Sequence, residues 1–94
     1  MKIWKFELPL EGDIKIKMPI DTEMLCVQLQ RGTPCLWVEC DSESPRVHWN
    51  FAWVGTGHET PEIGIYVGTV QLTGGDLVLH LYDMGHDDDA TPAE

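Results

Sequence analysis

Basic residues are scarce in this chain. Six Lys and Arg stand against sixteen Asp and Glu, for a formal charge of −10. Neutralising the phosphates of DNA or RNA requires clustered cations, so neither direct nucleic-acid binding nor docking on an anionic membrane is expected. Long apolar runs are missing as well, since none approaches the ~20 residues that span a bilayer. The opening residues 1–13 alternate charge with hydrophobe and hold no signal-peptide core. A cytoplasmic protein is the expectation. Cysteine is sparse and odd in number (Cys26, Cys35 and Cys40). Three thiols make no disulfide scaffold. A bridge between Cys26 and Cys35 across a hairpin is conceivable, but reduced, buried thiols in apolar strands fit the pattern better.

The usual chemical signatures are also absent. His48, His58, His80 and His86 form no HExxH or other tight ligand pair, no GxSxG elbow occurs, and no Cys adjoins a His. No metal, cofactor or catalytic residue is therefore expected. An enzyme assembled from residues distant in sequence stays open. His80, set between leucines, reads as a partly buried, hydrogen-bonded imidazole.

What the chain does have is a period of two. Trp4, Phe6 and Leu8 share one face of a first segment, and Ile14, Ile16 and Met18 one face of a second. Leu25, Val27 and Leu29 alternate with Cys26, Gln28 and Gln30 in a third, before a turn at Arg31, Gly32, Thr33 and Pro34. The run 35–40 is apolar on both faces, which suits a central or covered strand. Residues 46–54 are the clearest case: Val47, Trp49, Phe51 and Trp53 line up on a strand, whereas a helix would scatter them. A sixth strand is expected at 63–72, a tight turn at Thr73, Gly74, Gly75 and Asp76, and a seventh strand at 77–82. Beyond Asp83 the pattern stops. The expected fold is all-β, a small antiparallel sandwich or partly open barrel of about seven strands. It forms a single domain over 1–84, followed by a flexible acidic tail at 85–94 that includes Asp87, Asp88, Asp89 and Glu94. Open edges on such a sheet favour a homo-oligomer.

The loop Gly55, Thr56, Gly57, His58 is the best candidate site. Two glycines let backbone amides turn inward, as in anion cradles. Thr56 adds a hydroxyl, and His58 adds a ring that donates or stacks. Trp37, Trp53 and Tyr66 offer aromatic surface, and Arg31 a forked cation. The expected ligand-binding set is thus Arg31, Trp37, Trp53, Thr56, Gly57, His58 and Tyr66. The plainer reading of the same loop is an inter-strand turn.

Four segments, taken in order, carry a resemblance. They are Ile3-Trp4-Lys5-Phe6, the stretch from Val27-Gln28-Leu29-Gln30 through Pro34-Cys35-Leu36-Trp37, the loop at 55–58, and Gly68-Thr69-Val70-Gln71 leading to Leu79-His80-Leu81. Together, and as far as Tyr82, they resemble a family of small bacteriophage and prophage proteins classed as a domain of unknown function. The resemblance transfers no activity. It implies a phage-encoded protein in the bacterial host cytoplasm. In that setting the expected function is sequestration of a small, anionic, nucleotide-derived host immune signal, an anti-defence sponge. The competing expectations are an acidic nucleic-acid mimic that inhibits a host protein, a phage structural or assembly component, and a hydrolase of a nucleotide signal.

Overall fold

The structure is a computed structural model, and it describes residues 1–87. The chain forms seven strands: β1 (Lys2–Glu7), β2 (Ile14–Pro19), β3 (Thr22–Gln30), β4 (Thr33–Cys40), β5 (Arg46–Gly55), β6 (Ile65–Leu72) and β7 (Leu77–His86). They build two antiparallel sheets. The first has the order β1-β4-β3 and the second β2-β5-β7-β6. The fold is all-β, and the sheets do not close into a barrel. Among the described residues no helix is long and apolar enough to cross a membrane.

Alternation explains the core. Val47, Trp49 and Phe51 of β5 are buried, and they meet Leu36 and Val38 of β4, Met18 of β2 and Leu81 of β7 in one apolar cluster. Trp4 and Phe6 of β1 pack against it, partly buried. Two indoles also tie β5 to the end of β2 and to the segment before it: Trp49 Nε1 donates to the Pro19 carbonyl at 3.1 Å, and Trp53 Nε1 to the Pro9 carbonyl at 2.8 Å. β4, apolar on both faces, is the middle strand of its sheet, as that pattern requires. The β3–β4 hairpin turns through Arg31 and Gly32, both at positive φ (51° and 81°). A two-residue hairpin loop of that kind needs this backbone, and Gly32 adopts it without a Cβ penalty.

Three expectations change. The face Leu25, Val27, Leu29 is interrupted by a register shift between Met24 and Cys26, which leaves Leu25 outside the ladder and 44% exposed. One extra residue in a strand reverses the alternation on one side of it, so Met24 packs against the core in its place. The sixth strand starts at Ile65, two residues later than its pattern suggests. The seventh continues past Asp83 to His86, held by polar contacts where apolar patterning has ended. Asp83 Oδ1 accepts the Gly85 amide at 2.8 Å, the His86 ring stands edge-on to Trp49 at 4.8 Å, and the Asp87 amide reaches the His48 carbonyl at 2.9 Å. Residues 88–94 of the expected acidic tail lie outside the described residues.

Candidate functional site

Among the described residues no buried side-chain nitrogen or oxygen lacks a hydrogen-bond partner, so the core holds no polar site. No group of three or more His, Cys, Asp and Glu among them is placed for a metal ion. The three cysteines are free, and in the β3–β4 register Cys35 faces Gln28 while Cys26 faces Trp37. Burial pushes the Cys40 thiol above its ordinary value, which makes it a poor nucleophile.

The polar chemistry gathers on the outer face of the four-stranded sheet. The β5–β7 register sets Ala52 beside Tyr82 and Val54 beside His80, and the β6–β7 register sets Tyr66 beside Tyr82 and Thr69 beside His80. Period two then brings His80 and Tyr82 to the same side. Both ring nitrogens of His80 are engaged: Nε2 meets Thr56 Oγ1 at 2.8 Å and Nδ1 meets Thr69 Oγ1 at 2.8 Å. Thr69 Oγ1 is bonded in turn to the Tyr66 hydroxyl, and Tyr66 and Tyr82 pack edge to face at 5.8 Å. A neutral imidazole carries one N–H, so one threonine hydroxyl donates to the ring and the other accepts from it. The four side chains thus form one ordered chain of hydrogen bonds across the end of β5, β7 and β6.

A cavity of about 230 Å³ opens beside this chain, lined by Val54, Gly55, Thr56, Gly57, His58, Thr60, His80 and Tyr82. Its rim is a tight turn in which the His58 amide donates to the Gly55 carbonyl at 3.1 Å and Gly57 sits at φ 90°. The His58 ring lies over Gly55, 3.6 Å from where a Cβ would stand. Thr56 and Gly57 are the two central residues of this turn, and both line the cavity.

Of the expected binding residues, Thr56, Gly57 and His58 line this cavity, and Tyr66 reaches it through Thr69 and His80. The other three stand elsewhere. Trp53 turns inward and is spent on Pro9. Arg31 occupies the β3–β4 turn and Trp37 lies opposite Lys5 and Cys26, both in the three-stranded sheet. No Lys or Arg lines the cavity. Thr60, Thr69, His80 and Tyr82 were missed as site residues. The alternation of His80 and Tyr82 in β7 was visible in the sequence, but the register that sets them beside the loop and beside Thr69 was not.

Fold and site together define a small two-sheet β-sandwich with a polar surface cavity built around a doubly bonded histidine. The chain belongs to the family described as Domain of unknown function (DUF7352), which matches residues 1–91. No curated protein and no solved structure matches it.

Proposed function

We propose that this is a small-ligand-binding protein whose site is the cavity at Thr56, Gly57, His58, His80 and Tyr82, and that its ligand is nucleotide-derived. The observation that supports this reading is the chain Thr56–His80–Thr69–Tyr66, which holds an imidazole and three hydroxyls in fixed orientation beside an open cavity. Preorganised polar groups next to aromatic surface are what a polar, ring-bearing ligand requires. The Thr56 and Gly57 amides would meet a phosphate or ribose oxygen, and Tyr82 with His58 would flank a base.

Volume limits the ligand. Sites that enclose a drug-sized molecule occupy ~300–1,000 Å³, so a cavity of about 230 Å³ takes one base or one ribose phosphate. A cyclic dinucleotide would need the cavities of two copies. With no arginine in the lining, anion affinity rests on neutral donors and histidine, and moderate affinity follows. That the chain is phage-encoded and sequesters a host immune signal in the bacterial cytoplasm is part of the same proposal, supported by the four-segment resemblance.

Calorimetry with nucleoside monophosphates, ADP-ribose and cyclic dinucleotides tests the proposal. Heat is expected with at least one, the ligand being recovered unchanged. Thr56→Val and Tyr82→Ala should each weaken binding by on the order of tenfold, the equivalent of one lost polar or stacking contact. No heat with any member of the panel overturns the reading, and turnover of the bound compound replaces it with an enzyme.

A further inference from the structure

β3 and β6 are both edge strands, one from each sheet, and they run side by side without a ladder between them. They come closest to clashing at Gly68, where a Cβ would come within 2.8 Å of Val27 Cγ1. Away from that contact the edges part into a cleft of about 450 Å³ whose walls include Met24, Leu25, Ile65, Tyr66 and Val67. Its apolar walls are open to water: Ile65 is 71%, Tyr66 54% and Leu25 44% exposed. Both walls carry a register shift here, at Leu25 and at Val67, which turns strand edges away from regular pairing.

The charge around this cleft has one sign. Glu23 and Asp83 line the cleft. Glu23 stands directly opposite Glu39 in the β3–β4 ladder, and no ion pair joins either carboxylate to a cation among the described residues. Like charges facing each other across a ladder destabilise it until something positive sits between them. β3 contains no Lys or Arg, and none follows Arg46 in the whole chain.

We propose that the β3–β6 cleft is a docking site for an extended segment of another protein in which aliphatic and basic residues alternate. Strand addition at an open edge supplies backbone hydrogen bonds, and alternate side chains then fall on opposite sides of the added strand. Aliphatic side chains enter between Leu25 and Ile65, and the basic ones meet Glu23, Glu39 and Asp83. A second copy of this chain fits less well. Each copy brings a charge of −10, and its lysine-bearing edges differ from this one, so the contact would be head-to-tail and would not close on itself without a matching rotation.

The test uses the full chain and three short labelled peptides of alternating sequence: lysine–valine, lysine–serine and glutamate–valine. Lysine–valine is expected to bind saturably, with amide shifts at 22–25 and 65–67. Lysine–serine, equally charged, should bind at least on the order of tenfold more weakly, and glutamate–valine not at all. Ile65→Asp and the pair Glu23→Gln with Glu39→Gln change exposed or half-exposed side chains, and each should weaken binding by a similar factor. Neither should alter binding in the Thr56–His80 cavity. Equal binding of both lysine peptides, or shifts confined to the acidic C-terminal residues, overturns the proposal. So does a solution mass that is a multiple of 10.6 kDa and falls to the monomer in Ile65→Asp, which would assign the cleft to self-association.

Discussion

The four edge strands of this sandwich fall into two unlike pairs. β1 and β2 carry Lys2, Lys5, Lys15 and Lys17, while β3 and β6 carry no cation. Lysines on an edge strand discourage a stray strand from pairing there. The first pair is also tied down from within, because the Trp49 and Trp53 indoles bond the carbonyls of Pro19, at the end of β2, and Pro9, between β1 and β2. The second pair packs Gly68 against Val27 but leaves Leu25, Leu29 and Ile65 exposed. The same small fold protects one pair of edges and leaves the other open, and this asymmetry marks where a partner has access.

The largest effect is expected where the open pair touches. Gly68→Val puts branched methyls onto Val27 and its backbone, and overpacking of this kind costs about 1–3 kcal/mol. A drop in unfolding free energy of that size, read from a lower urea midpoint at unchanged slope, supports a tight contact. A neutral substitution would show that the β3–β6 gap yields, and the comparison would lose its fixed point. A smaller loss is expected on the protected side. Trp53→Phe keeps most of the ring but deprives the Pro9 carbonyl of its donor, at about 1 kcal/mol. Because that carbonyl regains water readily at the surface, a loss above ~3 kcal/mol would mean that the indole holds the 8–13 connection in place and is more than a latch.

Next in size are charge changes at the edges, which act on solubility more than on stability. Lys15→Leu with Lys17→Leu removes the charges from β2 and should raise light scattering at constant folded content. Ile65→Lys places a charge on β6 and should lower any tendency to associate. If both leave scattering untouched, the lysines are not what separates the two pairs.

How much of this was legible in the sequence differs between the strands and the site. The strands were, because a buried face imposes period two directly on residues such as Val47, Trp49 and Phe51. The displaced Leu25 was not, since a single extra residue has no compositional mark and Leu25, Val27 and Leu29 alternate flawlessly. At the site, the glycines of the 55–58 loop were visible because a positive φ at Gly57 has a residue preference. His80 reads from the sequence as a partly buried, hydrogen-bonded imidazole, and it is one, but its partners Thr56 and Thr69 come only through two long-range registers. Arg31 and Trp37 were attached to the loop by chemical plausibility alone, and strand order placed them in the other sheet.

The weakest predicted effect concerns Asp87, which closes β7 onto the protected pair. Its carboxylate accepts from Lys15 Nζ at 2.7 Å and from Asn50 Nδ2 at 3.0 Å. The Lys15 bond first and the Asn50 bond second hold its pKa below the usual carboxylate value. A depressed folded-state pKa means that the unfolded chain takes up the proton first as pH falls. The stabilisation is therefore complete above the unfolded pKa, near neutrality included, and is lost as pH drops through the folded one. Lys15 and Asp87 are 52% and 37% exposed, so solvent screens most of the attraction and the contribution is small. Asp87→Asn should lower the urea midpoint slightly at pH 7, and the variant and parent should converge by about pH 2. No difference at pH 7 would show that Asp87 holds the strand end through its backbone amide to His48, which asparagine keeps, with charge irrelevant. The lysines of β2 would then serve only to repel stray strands and not to fasten β7.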